Sequence, residues 1–167
     1  MAFIDFTKTE NKEQIQKEVN RLVETGRLRE DETGVLNYDR LYSFFSSPLG
    51  VAMRQAQKEG VLHREQPFVM GREASELFED RDETDMVLVQ GIIDGYYETD
   101  DGIVLMDYKT DSLKPGEENK LVERYRTQMD LYRKALEGMT GKKVERCVLY
   151  SFSRGKEIEC QEEGNNV

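Results

Sequence analysis

No stretch of this chain approaches the ~18 to 20 continuous apolar residues that a membrane-spanning helix needs, so no membrane partner is expected. A secretory leader is missing too, since Met1-Ala2-Phe3-Ile4-Asp5 has no basic segment followed by an apolar run. Cysteine is scarce. Cys147 and Cys160 are the 2 present, too few for a disulfide framework and too few to build a zinc site or a four-cysteine cluster alone. A reducing cytoplasm is the expected compartment. Histidine occurs once, as His63. No Gly-x-x-x-x-Gly-Lys-Ser/Thr phosphate loop occurs, so the chain has no ATP site of that kind. Basic charge is also short, with 24 Lys and Arg against 34 Asp and Glu and a net charge of −10. A free-standing nucleic-acid binder normally carries a basic footprint. Either the chain does not touch nucleic acid, or its basic groups act locally, or a larger assembly supplies the rest.

What remains is an ordered, surface-rich composition, 37% hydrophobic and 35% charged over 167 residues, enough for one compact domain. No internal repeat or low-complexity tract is present. Ile15, Val19, Leu22 and Val23 recur at helical spacing within 11–25, and Gly26 stops them. A second short helix is expected over 39–45. Ser47-Pro48 starts a third, through about Lys58, which ends at Gly60. The period then changes. Pro67 to Met70 predicts a short extended run, and 85–97 a strand. Asp101-Gly102 marks a hairpin turn and 103–108 the return strand, with one apolar side toward a core. After Pro115-Gly116 a long helix is expected from about Glu118 to Glu137, with Val122, Tyr125, Met129, Tyr132 and Leu136 as its stripe. A last strand is expected over 146–152. The expected fold class is α/β, a sheet flanked by helices in one domain. Its parts are a helical region over 1–62, a core over 63–155 and a polar tail over 156–167 that frays.

The hairpin carries the candidate chemistry. Asp94 ends Gly91-Ile92-Ile93-Asp94 on one strand, and Asp107 and Lys109 close the other in Asp107-Tyr108-Lys109-Thr110-Asp111. Residues two apart on a strand share a face, so Asp107 and Lys109 should project together and Tyr108 oppositely, with Asp94 close by. Two carboxylates on one patch repel unless a proton or cation lies between them. A hard divalent ion with oxygen ligands, Mg2+ or Mn2+, suits that place, with the Tyr108 backbone carbonyl as a further ligand. Lys109 would orient the attacking water and stabilise developing charge. Phosphodiester hydrolysis needs this set of parts. Singly, each of these residues reads more simply as solvated surface; the pairing carries the argument. Gln128 is a polar group beside the apolar stripe and needs a partner if buried. Tyr132 reads on spacing alone as core, and His63 as a solvated residue. Arg124, Arg126, Arg133 and Lys134 could meet DNA phosphates, or simply form a solvated helix face.

Four motifs in order, Arg64-Glu65-Gln66-Pro67-Phe68, Gly91-Ile92-Ile93-Asp94, Asp107-Tyr108-Lys109-Thr110-Asp111 and Gln128-Met129-Asp130-Leu131-Tyr132, resemble the RecB-like branch of the PD-(D/E)XK nuclease superfamily. The likeness covers roughly 40–152 and is strongest to the C-terminal nuclease domains of the AddA family. It implies a restriction-endonuclease-like sandwich, a small mixed sheet flanked by helices. Asp94 and Asp107 are then metal ligands, Lys109 the catalytic lysine, and Gln128, Tyr132 and Glu65 further site residues. It implies a bacterial cytoplasmic exonuclease domain of a helicase–nuclease in double-strand break repair. Such a domain takes single-stranded DNA from a helicase part, which alone uses ATP, and works beside a second, AddB-like partner. The family's Gly-Thr-x-x-His motif, which supplies a further metal ligand, is missing, and Met1 to Phe6 resembles the segment that follows it. The chain is therefore expected to be a piece of a longer protein, impaired alone in metal binding and cleavage. Two alternatives stand beside this: a free-standing RecB-like exonuclease, and a non-catalytic module that keeps the fold.

Overall fold

Local capping chemistry sets the helices in a computed structural model that describes residues 1–73 and 85–160. After a 3-10 turn at Phe6–Lys8, Asn11 accepts from Gln14 N and starts α1 (Lys12–Glu24). A single turn, α2 (Glu30–Thr33), follows. Asn37 accepts from Arg40 N and starts α3 (Tyr38–Ser46). Ser47 then caps α4 (Pro48–Glu59), with Pro48 at its first position. Gly60 ends α4 at φ 75°, a left-handed conformation that a side chain would strain. α5 (Glu118–Thr140) ends the same way at Gly141, a turn later than the sequence suggested. Gly138 is exposed and tolerated within the helix.

Five strands form one mixed sheet in the order β1 (Leu62–Glu73), β2 (Met86–Glu98), β3 (Ile103–Lys109), β4 (Val144–Ser151), β5 (Lys156–Glu159). Every neighbouring pair is antiparallel except β3 and β4, which run parallel because α5 crosses over between them. Two expectations are corrected here. β1 is far longer than the run Pro67 to Met70. Pro67 lies inside it, opposite Ile92, which an edge strand permits because the missing N–H leaves no ladder bond unmade. The segment directly after Gly155 is not frayed. Lys156–Glu159 pairs with β4 and is anchored by Ile158, 8% exposed.

The hairpin was expected to have one apolar side, yet β3 is buried on both. Val104, Met106 and Tyr150 pack against Phe6, Phe44, Phe45, Leu49 and Met53 on one face of the sheet. Leu105 and Leu149 pack against Leu121, Met129 and Leu136 of α5 on the other. Phe44 is the centre of the first layer, with ring centroids 4.7 Å from Tyr150 and 5.1 Å from Phe45. α3 and α4 meet so closely that a Cβ on Gly50 would lie 2.2 Å from the Phe44 carbonyl oxygen.

Candidate active site

β2 and β3 pair from Glu98 opposite Ile103 as far as Gly95 opposite Met106, and there the ladder stops. The next residues across are Asp94 and Asp107. In place of a ladder bond, Asp94 Oδ2 accepts the Tyr108 backbone N–H at 3.0 Å. The β1 side is irregular at the same level. Arg64 pairs with Gly95 and Gln66 with Ile93, while Glu65 between them takes φ 49°, the one positive value at a non-glycine residue among the described residues. Leu62 packs in the layer of Phe6, and Arg64 lies over the Phe6 ring, but Phe68 and Met70 belong to the layer under α5. Tyr97 and Ile93 divide in the same way. The β1–β2 ribbon therefore turns over at Glu65 and Asp94.

β3 continues beside β4 as far as Lys109 opposite Ser151, so the end of β3 stays rigid where β2 has left it. Alternation acts as expected. Asp107 and Lys109 face α5, while the Tyr108 hydroxyl turns to Met53 Sδ at 3.7 Å and its ring meets Phe44 edge-on. The N–H and C=O of one strand residue point to the same edge. The Tyr108 carbonyl therefore looks into the opening beside Asp94, whereas the Lys109 carbonyl accepts from Phe152 N on the β4 side.

Lys109 Nζ lies 2.6 Å from Asp107 Oδ2 and donates to Gln128 Oε1 at 2.9 Å. An ammonium has only donors, which fixes the orientation of the Gln128 amide. Its Nε2 then donates to Tyr132 Oη at 2.7 Å. Tyr132 is buried edge-on to Phe68, so it is both core and site. Asp107 is 2% exposed. Its Oδ2 has an ion pair's distance to Lys109 without a hydrogen bond's direction, and so keeps an unused lone pair. Burial pushes the Asp107 carboxyl up to about 6; Lys109 pulls against this and Asp94 adds to it. Tyr108 is pushed far up, first by burial and then by Asp94.

The remaining candidates divide. Glu65 is exposed at the rim. The Met1 amino group is held below its usual range by burial, while Glu65 and Asp94 draw it upward, which puts it near those two carboxylates. Arg124 is paired with Asp111 at 2.5 Å and Arg133 with Asp130 at 2.7 Å. Lys134 also meets Asp130, at 2.9 Å, and Arg126 is exposed. Much of the helix's basic charge is thus answered by its own chain. His63 is not simply solvated. It stacks on Tyr96 with centroids 4.4 Å apart, 3.5 Å from Glu98. Sequence reasoning missed Tyr125 and Asp111. The Lys109 ammonium lies 3.6 Å from the Tyr125 ring centroid, and the Tyr125 hydroxyl hydrogen-bonds Asp111. The available signal was the position of Tyr125 on the helix face of Gln128, three residues earlier. Among the described residues no three His, Cys, Asp or Glu side chains converge. The candidate donors for a metal are Asp94, Asp107 and the Tyr108 carbonyl.

Residues 5–164 match the PD-(D/E)XK nuclease superfamily. Similar curated proteins include an ATP-dependent helicase/nuclease subunit from Alkaliphilus oremlandii, 38% identical over 91% of this chain and 13% of the relative. The protein of the same name in Lachnoclostridium phytofermentans is 35% identical over 95% of this chain and 14% of the relative. That of Clostridium perfringens (strain SM101) is 36% identical over 98% and 13%. The chain thus spans 13 to 14% of the length of these relatives. With a match over nearly the whole sequence, the chain belongs to the PD-(D/E)XK nuclease superfamily.

Proposed function

We propose that this chain is the DNA-cleaving domain of an AddA-type helicase–nuclease and hydrolyses phosphodiester bonds at Asp94, Asp107 and Lys109. The observation that carries this is Asp107 Oδ2, a buried oxygen with no aligned donor, beside Asp94 and an ammonium group. A buried carboxylate oxygen without an aligned donor, beside a second carboxylate, is costly, and a hard divalent cation answers both defects. Asp94, Asp107 and the Tyr108 carbonyl fit Mg2+ or Mn2+ as an all-oxygen set. When bound, the ion supplies a water of lowered pKa and a counter-charge for the phosphate.

The chain's own residues do the rest. Asp94 holds the Tyr108 backbone, and with it the direction of the Tyr108 carbonyl. Lys109 orients the attacking water and places positive charge where negative charge grows. Gln128 fixes the Lys109 ammonium, and Tyr132 fixes the Gln128 amide. Glu65 at the rim stands beside Asp94 and assists the same centre. Arg124, Arg126 and Arg133 are secondary candidates for phosphate contact. The net charge of −10 makes strand capture by this domain alone weak. Single-stranded DNA is therefore delivered by a helicase part that uses ATP, beside an AddB-like partner, in a bacterial cytoplasm. The names and far greater length of the relatives support this reading over a free-standing exonuclease.

The test is cleavage of single-stranded DNA with Mn2+, using the chain extended upstream by a Gly-Thr-x-x-His helix. That protein should cut, while Asp107→Ala and Lys109→Ala should not, at unchanged fold by circular dichroism. Full activity in both variants would falsify the site.

A further inference from the structure

Lys109 is held from three directions. Asp107 and Gln128 supply two, and the third is the face of the Tyr125 ring, 3.6 Å from Nζ to the centroid. That ring is anchored in turn. Its hydroxyl lies 3.0 and 3.2 Å from the two oxygens of Asp111, which also receives Arg124 Nη1 at 2.5 Å. Asp111 follows Lys109 by two residues, and Tyr125 precedes Gln128 by three. The end of β3 and the first half of α5 are therefore tied twice, once by Lys109 to Gln128 and once by Asp111 to Tyr125.

Resting on the nuclease reading above, we infer that Tyr125 is a positioning residue for Lys109. Its ring, locked by Asp111, backs the ammonium beside Asp107 and Gln128. The negative face of an aromatic ring attracts a cation, more strongly where water is excluded, and Lys109 is 9% exposed. Without the ring a flexible four-carbon stem could swing its charge away from the reacting water. The hydroxyl bond to Asp111 fixes the rotation of the ring. Phenylalanine at this position keeps the face and loses the anchor, whereas leucine loses both.

Two measurements on Tyr125→Phe and Tyr125→Leu test this. The first is the NMR signal of the Lys109 ε-methylene in the metal-free protein, assigned by its loss in Lys109→Arg. It should be shifted upfield by the ring in the parent and in Tyr125→Phe, and return to the ordinary lysine position in Tyr125→Leu. The second is cleavage by the upstream-extended protein. Tyr125→Leu should lower kcat about tenfold and Tyr125→Phe about threefold or less, with DNA affinity unchanged in both. An unshifted parent signal, a signal indifferent to Tyr125→Leu, or a loss confined to DNA affinity (the ring then stacks on a base) overturns the inference. Asp107→Asn is the control. If it cuts as fast as the parent, the nuclease site is wrong, while the Lys109 signal still decides whether Tyr125 holds that ammonium.

Discussion

Asp94 Oδ2 accepts the backbone N–H of Tyr108 at 3.0 Å, and this bond stands where the β2–β3 ladder ends. One carboxylate therefore closes the sheet and supplies charge to the site. The two roles separate by substitution. Asp94→Asn keeps an acceptor for Tyr108 and should lower stability by under about 1 kcal/mol, while Asp94→Ala strands a backbone donor and should cost about 1 to 3 kcal/mol. Both should abolish cleavage. Urea unfolding read beside a cleavage assay checks the difference; equal losses of stability would place the bond outside the structural account.

Asp107 gives a pH dependence whose sign is fixed. Its carboxyl is held up at about 6 by burial, against a usual value of 3.8. Below 3.8 it is protonated in both folded and unfolded chains. As pH rises toward 6 the unfolded chain ionises first, so stability falls, by on the order of 3 kcal/mol in all, and stays lowered above that. Asp107→Asn should lack this fall. Unfolding curves for parent and variant should diverge across the window; parallel curves would refute the assignment.

A divalent ion should reverse that penalty. At pH 7.5 (about the working range) Mn2+ should raise the melting temperature of the parent chain through binding to the folded state. Asp94→Asn and Asp107→Asn should each suppress the rise. At pH 4.5 (roughly where protons compete) the rise should shrink, because Asp107 keeps its proton. A rise of equal size in all three proteins would put the ion elsewhere.

Gln128 bridges Lys109 and Tyr132, so Gln128→Leu should cut both links while adding apolar area to the α5 stripe. The expected result is a kcat loss of roughly 10- to 100-fold at unchanged DNA affinity. Tyr132→Phe removes only the outer link and should act more weakly. A kcat unaffected by Gln128→Leu would show that Lys109 needs no support from α5.

Gly50 tests the other layer. Its added Cβ would lie 2.2 Å from the Phe44 carbonyl oxygen and 2.8 Å from Phe45 Cα, both backbone atoms with little room to yield. Gly50→Ala should therefore destabilise by about 2 kcal/mol or more, and because Phe44 packs edge-on against Tyr108 of β3, cleavage should weaken with it. Calorimetric melting checks it.

Much of this was legible beforehand, for local reasons. Asn11, Ser47-Pro48, Gly60 and Asp101-Gly102 act through their immediate neighbours, and strand alternation alone put Asp107 and Lys109 on one face. What escaped depends on distant partners. β1 reads as a short run because Pro67 interrupts it, and only its edge position makes that harmless. β5 offers one buried apolar residue, Ile158, too little for a periodic signal. Tyr125 looks like any aromatic in an apolar stripe until Lys109 arrives beneath it. Residues 74–84, between β1 and β2, lie outside the described residues.

The turnover of the β1–β2 ribbon constrains how such a sequence can drift. Before it, odd-numbered Val89 and Ile93 join the layer under α5 while Met86, Leu88 and Ile92 are exposed; beyond it, even-numbered Tyr96 joins that layer and Tyr97 joins the other. Losing a single codon from either strand near Glu65 or Asp94 would invert everything on one side. Descendants of this chain should vary freely in loop length elsewhere while keeping the count through this crossing fixed.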